Sequence, residues 1–263
     1  MQVYGADFSG ARDSSKGIYY AEAELNDLQI IIKNVTHCDD RLDLFAAITN
    51  SNAPWGLDFP FALPCESYNL LGLESWQQLL ELTHSLSREK FAPLINSKLG
   101  NYEACPSEKN YQCRYTDVAV KSFSPLKKFN PNMQAMIYGG FKLLHYLNKA
   151  GTCIYPFSKL THSQTRVYEV YPSYLWAKVK MRRTLNLNNF IKAFNLKYPL
   201  KIEIPSKYHE APNQDFADAI IASICMATCI KEHRIDQDWQ QKPKNVSKDE
   251  WDTRFLEGLI IRV

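Results

Sequence analysis

Short apolar stretches separated by turn residues open the chain, and they predict a small sheet. Residues 2–8 read as a strand. Residues 16–24 read as a second, after the turn-rich run Ser9-Gly10-Ala11-Arg12-Asp13-Ser14-Ser15. Residues 28–36, with Ile30, Ile31, Ile32 and Val35, read as a third after the Asn26-Asp27 turn. Links this short favour antiparallel neighbours. Leu42, Leu44, Phe45 and Ile48 then give residues 40–49 an amphipathic helical pattern, and a further strand follows at 54–59.

The middle, about 60–130, loses this regularity. Pro60 and Pro64 interrupt it, residues 75–86 look helical, and 91–130 carries Pro93, Gly100, Pro106 and Pro125 among many polar residues. The stretch reads as an insertion or lid within one domain spanning 1–263, because long irregular segments inside compact domains are often functional. Periodicity returns at 131–148, a helix with Asn130 as cap, Pro131 as first residue and Gly151 at its end. Gly139-Gly140 inside it implies close approach to a neighbouring backbone, since each glycine costs about 1 kcal/mol in a helix. Strands at 152–155 and 165–171, helices near 173–180 and 187–195, and a long apolar helix at 215–231 complete the pattern. The final Leu259-Ile260-Ile261-Arg262-Val263 suits either a strand or a cover over the site. There is no internal repeat.

With 263 residues, 45% hydrophobic and 22% charged, the chain can bury a sizeable core. The net charge of +3 neither requires nor excludes nucleic acid, because a local basic groove can hide in that balance. The seven cysteines lack metal-ligand spacing. Cys225 and Cys229 suit a buried helix face, and Cys105 and Cys113 have no second pair nearby, which argues against zinc. No secretory signal precedes the first strand, and no apolar run reaches the ~18–20 residues of a membrane span. A reducing, cytoplasmic setting is therefore expected.

Five carboxylates change the picture. Asp7 ends the first strand, Asp58 ends Trp55-Gly56-Leu57-Asp58, and Glu169 lies in Val167-Tyr168-Glu169-Val170-Tyr171-Pro172. Asp215 and Asp218, three apart on one helical face, open the long apolar helix. Each has an ordinary alternative. Asp215 and Asp218 suit N-terminal caps beside the helix dipole, Asp7 suits an Asx turn, and Glu169 suits the solvent face of a strand. Brought together, they would bind hard, oxygen-preferring Mg²⁺ or Mn²⁺. Two such ions about 4 Å apart serve phosphodiester hydrolysis.

Gly5-Ala6-Asp7, Gly56-Leu57-Asp58-Phe59-Pro60, Tyr168-Glu169-Val170-Tyr171-Pro172 and Asp215-Phe216-Ala217-Asp218-Ala219 occur in that order across nearly the whole chain. Cys113-Arg114-Tyr115-Thr116-Asp117 and the terminal Glu257-Gly258-Leu259-Ile260 add two further pieces, with Leu259 in place of an aromatic residue. In these motifs the chain resembles the family described as domain of unknown function 429, a set of predicted ribonuclease H-like nucleases. The resemblance implies an α/β fold with a ribonuclease H-like mixed sheet flanked by helices and a helical or irregular insertion. Antiparallel hairpins, a helix and another strand are the opening order of that fold. It also implies a metal-dependent nuclease acting on RNA or DNA, with Asp7, Asp58, Glu169 and Asp218 as core metal ligands and Asp215 as an additional carboxylate. Arg114 and Asp117 would lie near the site, where Arg114 either grips a phosphate bidentately or forms a salt bridge with Asp117.

Basic residues interleaved with aromatics offer a substrate surface. Lys121, Lys127 and Lys128 flank Phe123 and Phe129, and Lys178, Lys180, Arg182 and Arg183 follow Trp176. The alternative for both runs is a solvated face. The histidines are dispersed; His145 suits a core or rim position, and His209 stands just ahead of the carboxylate helix. Two other functions fit the sequence: a non-catalytic binding protein on the same fold, and an actin-like or sugar-kinase-like phosphotransferase. The latter usually needs a second domain and a glycine-rich phosphate loop, for which this chain is short.

Overall fold

A computed structural model describes residues 1–8, 10, 17–99, 111–129, 131–158, 165–233, 235, 242 and 244–263. The turn at 9–15 (Gly10 apart), Asn130, Cys105 and His162 lie outside the described residues. Seven strands form one mixed sheet: β1 (Gln2–Phe8), β2 (Ile18–Leu25), β3 (Gln29–His37), β4 (Pro54–Asp58), β5 (Cys153–Ile154), β6 (Arg166–Glu169) and β7 (Lys201–Glu203). Their spatial order is β5-β6-β4-β1-β2-β3-β7. The hairpins β1–β2 and β2–β3 are antiparallel. β4 lies parallel to β1 and β6, β5 parallel to β6, and β7 parallel to β3.

Helices cover both faces, as parallel strands buried on two sides require. One face packs against α1 (Arg41–Thr49), α3 (Trp76–Ser85), α4 (Arg88–Leu99) and α6 (Met133–Lys149). The other packs against α7 (Pro172–Lys178), α8 (Leu187–Lys197) and α9 (Gln214–Lys231). Two short helices, α2 (Cys65–Leu71) and α5 (Tyr115–Val120), lie in the middle segment, and α10 (Lys248–Arg254) precedes the C-terminus.

The sequence pattern locates most of these elements, and the departures have physical causes. The middle segment is far more regular than its prolines suggest. Phe61, Leu63, Trp76 and Phe91 are fully or almost fully buried, and this packing carries α4 past the internal Pro93. The segment is thus part of the core on one face rather than an appendage. Helix α6 starts two residues later than expected, at Met133 rather than Pro131. Asn132 is its cap, with its side chain accepting from the N–H of Ala135, and Pro131 precedes the helix. β7 escapes the sequence pattern because three residues are too few to show alternation. The apolar C-terminus forms no strand; Ile260 makes a single bridge beside Glu169, and the N–H of Ile261 donates to the Glu169 carbonyl at 2.9 Å.

Glycines set how closely the layers approach. A Cβ at Gly5 would overlap the backbone of Ala222 and Ser223, so α9 lies directly on β1. A Cβ at Gly56 would stand 3.2 Å from the Ala222 carbonyl oxygen. Gly139 and Gly140 face side chains rather than the backbone their spacing implies: a Cβ at Gly140 would meet the Phe59 ring at 2.5 Å, and one at Gly139 the guanidinium of Arg41 at 3.0 Å. The docking of α9 on these strands fixes its first turn over the carboxyl ends of β1 and β4. Gly5→Ala must therefore lift α9 off the sheet. The expected loss is about 3 kcal/mol or more, read by urea unfolding, with collapse of the fold as the extreme outcome.

Candidate active site

Asp7 and Asp58 are register partners on the adjacent parallel strands β1 and β4, so their side chains leave the same face of the sheet side by side. That face is the one α9 covers. Asn213 caps α9, its side chain accepting from the N–H of Phe216 at 2.8 Å. Asp215 and Asp218 are therefore not needed as caps. Asp215 stands in the first turn and lines a cleft of about 450 Å³ together with Asp7 and Asp58. Phe59, Phe123, Met133, Met136 and Tyr171 supply apolar or aromatic wall. The cleft lies at the carboxyl ends of the parallel strands, where open α/β sheets commonly bind ligands.

The electrostatics are strained. Burial first, then the charges of Asp58 and Asp215, push the Asp7 carboxyl well above the usual range. Burial pushes Asp58 up to about 7; Arg183 opposes this, while Glu169 and Asp215 add to it. Carboxylates crowded in this way favour protons or cations.

Glu169 lines the same cleft as Asp7 and Asp58 but reaches it from the other face of the sheet. It pairs in register with Leu57, one residue out of phase with Asp58, so it leaves the opposite face. There it is held fast. Its Oε2 accepts from the N–H of Phe61 at 2.9 Å and from Arg114 Nη1 at 2.8 Å, and its Oε1 accepts from Arg114 Nη2 at 2.6 Å. Burial raises its proton affinity against the opposing pull of Arg114. These hydrogen bonds use both acceptor sites of Oε2 and one of the two on Oε1.

Arg114 has no donor left for a phosphate. Nε donates to Asp117 Oδ2 at 2.9 Å, Nη1 to Glu169 and to the Glu257 carbonyl, and Nη2 to Asp117 Oδ1 and Glu169. That exhausts the five N–H groups of a guanidinium. Burial alone would lower its pKa, but Asp117 and Glu169 outweigh that and hold it well above the ordinary value. Asp117, equally buried, also accepts from Ser122 Oγ at 2.8 Å. Arg114 and Asp117 thus form an ion pair widened to include Glu169, the salt-bridge alternative of the two that the sequence left open for Arg114.

Asp218 is fully buried and accepts from Gln214 Nε2 at 3.1 Å and from Arg183 Nη2. Arg183 is the residue that sequence reasoning left undistinguished in a basic run. Lys180, in the left-handed conformation with φ 59°, turns the chain after α7, and Arg183 then reaches the cleft and the carboxylates. Lys127 and Lys128 do not line the cleft. Lys127 is buried with Nζ 3.7 Å from the centre of the Phe123 ring, and Lys128 is half-buried. His209 is tied to the Ile204 carbonyl at 2.9 Å, and His145 stacks on His84 at the rim of α6.

Among the described residues, the trio whose metal-ligating atoms lie within 4.8 Å of one another is Cys65, Glu66 and Glu257, none of which lines the cleft. It suits a cation poorly. Glu257 accepts from the N–H groups of Cys65 and Tyr115, capping α2 and α5, and burial with nearby Glu257 pushes the Cys65 thiol up to about 12. The cleft carboxylates stand further apart than that trio, with Arg183 among them. Their donor set still fits Mg²⁺ or Mn²⁺: anionic oxygens, partly buried, whose mutual repulsion a cation would relieve. No family model, curated protein or solved structure matches the chain. Among the described residues no helix is long and apolar enough to cross a membrane.

Two outcomes test this geometry. Arg114→Ala leaves Glu169 and Asp117 buried without their cation and should cost roughly 3–5 kcal/mol in urea unfolding. The second concerns pH. Asp58 is raised from an unfolded value near 4 to about 7, so the folded protein holds more protons in that window. The stability this contributes is full below about pH 4 and is lost as pH rises through about 7. Asp58→Asn, which mimics the protonated form, should gain on the wild type between pH 5 and 8 in metal-free buffer; a constant difference across that range would refute the assignment.

Proposed function

We propose that this chain is a Mg²⁺- or Mn²⁺-dependent phosphodiesterase acting on RNA or DNA, built on a ribonuclease H-like sheet and related to the domain of unknown function 429 family. The observation that carries the reading is the convergence of Asp7, Asp58 and Asp215 on one cleft at the carboxyl ends of β1 and β4. The strand order β3-β2-β1-β4-β6, with β2 antiparallel to its neighbours, supports the architecture. Charge supports the metal requirement. Four carboxylates against Arg183, and two more against Arg114, would repel a polyanion unless cations entered first.

Asp7, Asp58 and Asp215 would hold the cations, and Asp218 would join them once a cation displaced Arg183 from it. When bound, such ions polarise a phosphodiester and ready a water for attack. The chain itself positions and shields. Phe59, Pro60 and Tyr171 line the cleft and would limit water access to it. Glu169, locked by Arg114, keeps the strand end of β6 fixed and adds negative charge beside Asp58. A cytoplasmic setting belongs to the same proposal and suits the buried thiols Cys38, Cys153, Cys225 and Cys229. One observation favours the non-catalytic alternative, that Glu169 and Asp218 are already engaged within the protein.

A metal titration separates the two. Wild type should gain roughly 5 °C or more in melting temperature at saturating Mn²⁺. Asp58→Asn should show no gain while keeping or raising its metal-free melting temperature. On a panel of single- and double-stranded RNA and DNA, its hydrolysis should fall roughly a hundredfold or more. Absence of any metal effect on wild type would leave the binding protein as the surviving reading.

A further inference from the structure

The cleft is lined by two arginines with opposite circumstances. Arg114 is fully buried and every donor is committed. Arg183 comes from the irregular segment between α7 and α8, and its side chain is 44% exposed. One nitrogen, Nη2, donates to Asp218, whose side chain is 1% exposed. Among the described residues that line the cleft, Arg183 is therefore the cation whose guanidinium edge remains accessible to a ligand. Its charge is felt at Asp7, Asp58 and Tyr171, which places it inside the carboxylate group rather than at its margin.

Asp218 explains why Arg183 is held there. A carboxylate with no exposure needs a cation or strong donors, and Gln214 alone supplies only one neutral hydrogen bond. A divalent cation would serve Asp218 better, carrying twice the charge and preferring anionic oxygen. Arg183 would then lose its reason to stay on Asp218 while remaining tethered at the cleft wall. A guanidinium freed in this position is suited to a tetrahedral oxyanion, because its planar fork matches two phosphate oxygens.

We propose that Arg183 is the phosphate-binding residue of this cleft, held on Asp218 in the metal-free protein and released to the substrate's phosphate when a divalent cation takes over Asp218. The inference rests on the metal-dependent reading above and adds to it an order: cation first, phosphate second. It also assigns to Arg183 the role that the sequence motif suggested for Arg114.

Calorimetry at pH 8 with Mn²⁺ alone, and then with adenosine monophosphate as the phosphate probe, tests it. Wild type should bind the nucleotide only when Mn²⁺ is present. Arg183→Gln removes a competing cation and should bind Mn²⁺ several-fold more tightly, while the Mn²⁺-loaded variant loses about tenfold or more in nucleotide affinity. An arginine with a purely structural role would not tighten metal binding on removal. Arg183→Lys keeps the charge and serves if the glutamine variant unfolds; it should hold Mn²⁺ affinity near wild type and still weaken nucleotide binding. Equal Mn²⁺ and nucleotide affinities in wild type and Arg183→Gln would overturn the proposal and leave the metal site standing. Failure of Mn²⁺ to bind either protein would overturn both.

Discussion

Arg114 joins three distant parts of the chain through one buried guanidinium: Asp117 at the start of α5, Glu169 at the end of β6, and the carbonyl of Glu257 near the C-terminus. The Glu257 carboxylate in turn caps α2 and α5 through the N–H groups of Cys65 and Tyr115. The middle segment, the sheet and the C-terminus are therefore anchored at the same point. A buried charge is tolerable only when its partners are in place, so this knot makes their positions interdependent. Ile260, which lines the cleft, is fixed beside it by donating to Thr116 Oγ1 at 2.8 Å.

Polarity is divided between the two faces of the sheet. On the face of Glu169, charges are paired internally and every donor of Arg114 is satisfied. On the face of Asp7 and Asp58, these two and Asp215 line the cleft with Arg183, whose guanidinium is already paired with the buried Asp218. The first arrangement stabilises structure. The second leaves repulsion unrelieved, visible in the raised proton affinity of Asp7 and Asp58, and such imbalance is common where a ligand completes the charge. A one-residue phase difference between β4 and β6 produces this division, since it sends Asp58 and Glu169 to opposite sides.

The close seating of α9 is what gives the acidic face its depth. Gly5 and Gly56 let the helix backbone approach the strands, and the helix is buried from Phe216 to Cys229. A helix apolar on all sides can sit only in the interior. Its first turn must then emerge at the edge of the sheet, which brings Asp215 to the cleft and leaves Asp218 beneath it. The carboxylates are strained because packing decides where they go.

The sequence by itself determined the antiparallel opening, the α1–β4 crossover, the long α9 and the candidate status of its acidic residues. Each rests on local periodicity, on turn chemistry or on an acid in an apolar run, and such signals need no distant partner. It also marked Arg114 with Asp117, a pair close enough in sequence to interact within one turn. The tertiary structure alone decided the rest. The helices around Pro93 form because core contacts outweigh local preference, and β7 exists because β3 offers it an edge. Glu169 enters the cleft from the opposite face to Asp58 because strand register, a property of pairing rather than of either strand, sets which face a side chain takes. Arg183 became the half-exposed cation at the cleft because a left-handed residue at Lys180 redirects a basic run that reads in sequence as uniform surface. Charge, burial and distance are relations between segments, and only the folded chain brings those segments together.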